Sequence, residues 1–378
     1  MGRLPLRVLI HGPGPWCPSG YGVQVMLLAR GLRDAGHDVA LSAFGGYVRP
    51  APWEGIPVYA CPGSLHGEGG HIPGNYRRHK AELLVTICDV WALDPREWKG
   101  MAVAPWAPID TAPLGELDWR WLTSAAKVCD LHPVAMSGHG QAMMAERGIG
   151  SVVIPHMVQP VYVPGDRAEW RKAQGIDERA FLISLVGVNE GVPARKAFDV
   201  AMLAFAQFTE KHRNAKLCIH TEAQSRKGVD LARMAISLGL QGKVIFPDQY
   251  LRKADLLGPE YMAGMYSASD VLSAASRGGG FEVPIVESLA CGTPVIASRC
   301  SAMTELIRPG WGWLADGQRE WTQLHASWWM TPYVDGLARL YERAKQSGGM
   351  MRTAAAKQGD RYRPGRIMPL WESFLGGL

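Results

Sequence analysis

The sequence predicts an α/β protein of two doubly wound domains, and three observations lead to that class. Short apolar runs alternate with longer amphipathic ones, the order in which parallel strands and crossover helices follow each other. The chain has 378 residues, more than one hydrophobic core organises. A stretch at 155–165, holding Pro155, Pro160 and Pro164, separates one alternating series from a second, as a linker does.

The first series opens with an apolar run at 6–10, an amphipathic run at 22–35 and a second apolar run at 39–43, after the turn Gly36-His37-Asp38. That is a βαβ unit. Strand-like runs continue at 83–87, 101–104, 134–135 and 152–154, whereas 57–75 is rich in Gly and Pro and is expected to be an exposed loop. The second series starts with a strand at 181–186, then a helix at 197–212, a strand at 216–220, a helix near 229–238 and strands at 244–246 and 270–272. The expected domains are therefore 1–160 and 161–348. A final helical stretch at 349–378 has an apolar side that includes Trp371 and Phe374.

Composition excludes several classes. Apolar residues make up 47% and charged residues 20%, with no low-complexity tract, so disorder is not expected. No apolar run is long enough for a membrane span, and no stable membrane insertion is expected. The opening run is too short for a signal peptide and leads straight into a glycine turn, which predicts a cytoplasmic protein. Seven cysteines, without CxxC spacing, lie mainly inside apolar runs and predict buried thiols rather than disulfides or zinc. Net charge is +5, compatible with a polyanionic ligand and diagnostic of none. Among fourteen tryptophans, the pairs Trp119 with Trp121 and Trp328 with Trp329 fit core packing, or stacking on sugar rings or bases.

The most informative stretch is Ser276-Arg277-Gly278-Gly279-Gly280-Phe281-Glu282-Val283-Pro284-Ile285-Val286-Glu287, followed by Ala290-Cys291-Gly292-Thr293-Pro294-Val295-Ile296-Ala297-Ser298. It reads as strand, glycine-rich turn, helix start and strand. Glycines let the backbone turn sharply and approach a ligand, and Pro284 suits the first turn of a helix. The free amides and positive dipole end of that helix favour an anion such as a diphosphate. Glu287, about one turn further in, is placed to accept hydrogen bonds from vicinal hydroxyls such as those of a ribose.

This segment closely resembles the donor-binding motif of family 4 of the glycosyltransferases. Gly280, Phe281, Pro284, Glu287, Cys291, Gly292, Thr293 and Pro294 match the family pattern. The resemblance implies the GT-B fold, two Rossmann-like domains facing across a cleft, with the C-terminal helix crossing back to the first domain. The first domain would be the acceptor side, the second the side of the donor.

Two positions depart from the pattern. The family's motif begins with a glutamate where this chain has Gly279, and Glu282 stands where the family usually has glycine, so a displaced carboxylate is expected to do part of the lost work. Asn189 occupies the place of a family arginine in Val186-Gly187-Val188-Asn189-Glu190-Gly191-Val192-Pro193-Ala194-Arg195-Lys196-Ala197-Phe198-Asp199. Lys196, Phe198 and Asp199 match, and Arg195 is expected to supply the missing guanidinium to the leaving diphosphate.

Other candidates are weaker in pattern. Ser19 caps the expected first helix and Gly20 admits a phosphate to its amides, although the same glycines fit an ordinary strand-to-helix turn. Glu305 follows the family pattern near the nucleotide loop, and a base pocket is expected around 247–257. Asp110 is the expected acidic group nearest the sugar, with Asp89 and Trp91 lining the acceptor side, each also compatible with a turn or cap. His11, His132 and His139 are further candidates. Ser-His-Asp spacing, HExxH and a DxD pair are all missing from the sequence, so metal independence is expected.

The implied activity is a retaining glycosyl transfer from a nucleotide-sugar co-substrate, a UDP- or GDP-sugar, to an acceptor hydroxyl, with Lys196, Arg195 and Asp110 in catalytic roles. Ser19, Gly20, Asn189, Gly280, Phe281, Glu282, Val283, Glu287 and Glu305 would bind the donor. The acceptor is open: glycan, lipid, protein or modified nucleic-acid base. A nucleotide-sugar epimerase and a catalytically silent nucleotide-sugar binder are the alternatives, the second supported by Gly279.

Overall fold

The computed structural model describes residues 5–45, 52–61, 66 and 70–378. The chain divides into two compact units. Unit 1 comprises Met1–Met157, Thr322–Ser327 and Pro364–Leu378, and unit 2 comprises Val158–Trp321 and Trp328–Arg363.

In unit 1 the elements run β1 (Arg7–Pro13), α1 (Gly20–Asp34), β2 (Asp38–Phe44), β3 (Val58–Ala60), α2 (His71–His79), β4 (Leu83–Thr86), β5 (Ala102–Ala107), α3 (Glu116–Ala125), β6 (Asp130–Leu131), β7 (Val134–Ala135), α4 (Gly138–Ala145) and β8 (Val152–Val153). The sheet order is β3-β2-β1-β4-β5-β7-β8, with β6 beside β5. These pairings are parallel. The uninterrupted apolar runs are explained by this: Val8, Leu9 and Ile10 of β1 and Leu84 and Val85 of β4 are covered on both faces. After α1, Gly36 takes a left-handed φ of +94° that closes the helix end where the turn was expected.

The expectation of an exposed loop over 57–75 fails where it can be followed. Residues 62–65 and 67–69 lie outside the described residues, but Val58–Ala60 pairs with β2 and α2 begins at His71. Val58, Cys61 and Ile72 are buried. Three residues of edge strand take their stability from pairing with β2, which local glycine and proline content does not reveal.

Unit 2 contains α5 (Arg167–Ala173), β9 (Leu182–Val186), α6 (Phe198–Lys211), β10 (Lys216–His220), α7 (Leu231–Ser237), β11 (Val244–Ile245), α8 (Gln249–Lys253), α9 (Pro259–Ala268), β12 (Val271–Ala274), α10 (Val283–Ala290), β13 (Val295–Ser298), α11 (Met303–Leu306) and β14 (Gly312–Ala315). A two-stranded ribbon follows, β15 (Gly317–Thr322) and β16 (Ser327–Pro332), then α12 (Val334–Gln346) and α13 (Arg352–Gly359). The six-stranded parallel sheet has the order β11-β10-β9-β12-β13-β14, so the direction of winding reverses between β9 and β12. Its core joins Phe198, Phe205 and Phe208 of α6 to Leu217, Ile219 and Tyr341.

The stretch 349–378 does not act as one piece. α13 packs on α10 inside unit 2, whereas α14 (Pro364–Leu375) is part of unit 1. There Trp371 is buried edge-to-face on Trp106, with ring centroids 5.0 Å apart.

Candidate active site

Ligands of open parallel sheets gather beyond the strand carboxyl ends, where the winding reverses. In unit 2 that point lies between β9 and β12, and the two segments singled out in the sequence leave the sheet there: 187–197 after β9 and 275–282 after β12.

The chain turns from β12 into α10 through Gly278, Gly279 and Gly280. Arg277 anchors the turn. Its guanidinium pairs with Asp199 at 2.9 Å and Glu320 at 2.9 Å and donates to the Ala194 carbonyl, while its amide donates to the Arg195 carbonyl at 2.8 Å. Ser301 adds a second hold, its Oγ accepting from the Gly279 amide at 3.1 Å. Phe281 is buried edge-to-face against Tyr362, and Pro284 opens α10 as expected.

Glu282 sits at the N-cap of α10 with φ +71° and ψ +70°, a left-handed conformation that costs a non-glycine residue energy and is typical of constrained functional sites. Both its oxygens accept from Lys196 Nζ, at 2.7 and 2.6 Å, and Oε1 lies 3.3 Å from Arg195 Nη1. Arg195 also donates to the Gly278 carbonyl at 2.5 Å. Burial alone would raise the carboxyl's pKa, but Lys196 and Arg195 beside it hold it below its ordinary value. Gly187 makes room for the lysine: a Cβ there would lie 2.7 Å from Lys196 Cγ.

Glu287 is buried one turn further along α10 and accepts from the Tyr266 hydroxyl at 2.9 Å. Burial pushes its carboxyl up to about 7, with hydrogen bonds from Tyr266 and Tyr162 opposing. Glu305 lies half-buried on α11, whose preceding residue Ala302 donates its amide to the Gly279 carbonyl at 3.4 Å. Lys196, Arg195, Gly280, Phe281, Glu282, Val283, Glu287 and Glu305 thus belong to one region of unit 2.

Asn189 has other work in this structure. Its amide donates to the carbonyls of Glu222 at 3.0 Å and Val229 at 2.7 Å, and its oxygen accepts from the Val229 amide at 2.9 Å. Both amide protons are thereby committed to holding the loop, which a donor-binding arginine substitute would need for ligand.

Unit 1 carries the remaining candidates. Ser19 caps α1, its Oγ accepting from the Gly22 amide at 3.0 Å, and Gly20 is the first residue of the helix. Asp89 accepts from the Tyr21 hydroxyl at 3.1 Å. His11 bridges Ser42 and the His66 carbonyl, His132 pairs with Asp130, and His139 bonds the Thr111 carbonyl, so each has a structural partner. His325 stands in no motif that would single it out, yet it lies 3.6 Å from Asp118 and 6.2 Å, ring to ring, from Trp91. Burial works to lower its pKa, but Asp118, Asp110 and Asp89 together raise it. Tyr266, Arg277 and Ser301 were missed as well. Of these only Arg277 carried a signal, as the one cation inside the glycine-rich turn.

Residues 182–327 match the family model described as "Glycosyl transferases group 1". The chain is 32% identical over 332 residues to D-inositol 3-phosphate glycosyltransferase of Rhodococcus jostii (strain RHA1), covering 79% of this chain and 70% of that one. It is 29% identical over 332 residues to the protein of the same name from Rhodococcus opacus (strain B4), covering 79% and 71%. Among solved structures, sucrose-phosphate synthase from Thermosynechococcus elongatus superposes with a TM-score of 0.78 at 15% identity, covering 99% of this chain and all of that one. Anabaena HepE, solved in complex with UDP-glucose, gives 0.74 at 16% identity with the same coverage. Transferase names on the relatives do not favour the epimerase alternative. On the strength of that likeness in sequence and fold, this chain belongs to the group 1 glycosyltransferases, family 4, and is a glycosyltransferase of the GT-B fold.

Proposed function

We propose that this enzyme moves a sugar from a nucleoside-diphosphate donor to an acceptor hydroxyl with retention of configuration, and that unit 2 holds the donor. The observation that carries this is the meeting of Lys196, Arg195 and the α10 N-terminus where the sheet reverses. Two cations and a row of backbone amides are the donors a departing diphosphate needs, and when preorganised they stabilise its charge by several kcal/mol. In a same-face transfer the diphosphate itself takes the acceptor's proton, so charge stabilisation rather than a strong protein base carries the catalysis, without a metal. In this reading Asp110 is the acidic group nearest the sugar, with Asp89 and Trp91 on the acceptor side.

Glu287 holds the ribose, and UDP-glucose, the ligand of the HepE structure, is the first donor to test. GDP-sugars are the second. D-inositol 3-phosphate, named for the curated relatives, heads the acceptor panel. The decisive experiment measures thermal stabilisation by UDP-, GDP-, ADP- and TDP-sugars, then release of free nucleotide by the wild type and Lys196→Ala. Stabilisation plus release that falls at least ~100-fold in the variant supports the reading, since single oxyanion-type donors contribute on that order. Binding without release under every acceptor tried would move the chain to the silent-binder reading.

A further inference from the structure

Glu282 is an odd neighbour for a diphosphate. Its carboxylate already occupies Lys196 through both oxygens and reaches Arg195 as well, so a bound diphosphate and Glu282 compete for the same two cations. Two negative groups converging on one helix N-terminus also repel each other. Lys196 has three N–H donors and Glu282 draws its ammonium to both carboxylate oxygens, so a bound phosphate gains the lysine at the carboxylate's expense.

The carboxylate cannot retreat into water. Its side chain is only 3% exposed, against 14% for Lys196. It is also confined from the side, because a Cβ on Gly279 would lie 2.3 Å from Glu282 Oε1 and 2.4 Å from Cγ, so the glycine leaves the volume this carboxylate fills. The left-handed backbone at Glu282 aims the side chain there instead of outward along α10. If Lys196 turns to a phosphate, Glu282 is left buried with its strongest donor gone. Removing one partner of a buried ion pair is far costlier than the pair's net worth, unless new donors arrive.

A sugar attached to the diphosphate brings such donors, because its hydroxyls lie within a few ångströms of the phosphate that Lys196 would hold. A free nucleoside diphosphate carries its hydroxyls on the ribose, beyond the α-phosphate, and brings none beside its terminal phosphate. We infer that Glu282 is a specificity-determining counter-anion: it exchanges Lys196 for hydroxyls of the intact donor, and it reclaims Lys196 once the sugar has left. The site therefore favours the nucleotide sugar over the spent nucleotide, and the same carboxylate hastens product release. This rests on the donor reading above and adds the discrimination between substrate and product.

Calorimetric titration of the full chain with UDP and with UDP-glucose tests it, in the wild type and in Glu282→Gln. The wild type is expected to bind UDP-glucose at least ~10-fold more tightly than UDP, the scale of one unmade buried charge contact. Glu282→Gln removes the competing charge, so UDP binding strengthens by ~10-fold or more while UDP-glucose gains less, and the preference disappears. The double variant Gly279→Glu/Glu282→Gly, which moves the carboxylate three residues back, restores a preference for the sugar.

Equal weakening of both ligands in Glu282→Gln, as a merely structural residue would give, overturns the inference. So does a wild type that binds UDP as tightly as UDP-glucose, a result that needs no variant to fold. A wild type that binds neither, nor any nucleotide of the panel above, overturns the donor reading and this inference together.

Discussion

Burial pushes the Glu287 carboxyl from its ordinary 4.5 up to about 7, and the sign of the consequence is fixed. Between those values the folded protein holds a proton that the unfolded chain has lost, so stability falls as pH rises through that window. Glu287→Gln is expected to flatten that dependence and raise the thermal midpoint at pH 8 by a few degrees, read by calorimetry. A protonated carboxyl also loses acceptor capacity, so the donor KM of the wild type is expected to rise as pH falls below about 7. Arg277→Ala acts on stability through a different cause. It removes the buried cation shared by Asp199 and Glu320, whose side chains keep 32% and 30% exposure, and leaves the Ala194 carbonyl without that donor, so a loss of ~1–3 kcal/mol in denaturant unfolding is expected.

At the scale of elements, α10 is held from behind by α13. A Cβ on Gly359 would lie 2.2 Å from the Ala290 amide nitrogen and 2.4 Å from its Cα, so Gly359→Ala drives one helix from the other. An overpacking cost of ~1–3 kcal/mol and a raised donor KM are expected together, because α10 carries both Glu282 and Glu287. The strands β1, β4, β9, β10 and β12 were legible because strands buried on both faces read as apolar runs. β3 and the ribbon β15–β16 were not. In the ribbon the neighbours Trp328 and Trp329 differ in exposure, yet Trp328 pairs with Trp321 across strands, a contact no local pattern shows. The site shows the same divide. Glu287 stood out by its place one turn into a helix, and Lys196 and Glu282 by comparison with the family motif, but the clamp of Glu282 on Lys196 depends on a positive φ, and the approach of His325 to Asp118 joins segments far apart in sequence.

Across the whole molecule, the chain leaves unit 1 after Met157, returns for Thr322–Ser327, leaves again, and ends in α14. That helix is not an appendage, because Trp371 is buried against Trp106 of β5 and His37 lies 3.4 Å from Glu372. Trp371→Ala is expected to cost ~3–5 kcal/mol. Hydrogen exchange should locate the loss, with faster exchange in β5 and β7 and little change in β9 or β12. Loss of protection spread evenly over both units would contradict the division described.

The order of these segments has a consequence for biosynthesis. A ribosome completes unit 2 before it reaches α14, so the unit that is begun first is finished last. Multidomain chains generally fold from the N-terminal domain onward as they emerge. Here the nascent N-terminal half must wait with the Trp106 face uncovered until α14 has been made, and that interval is when a chaperone that reads exposed aromatic surface has its longest access to it.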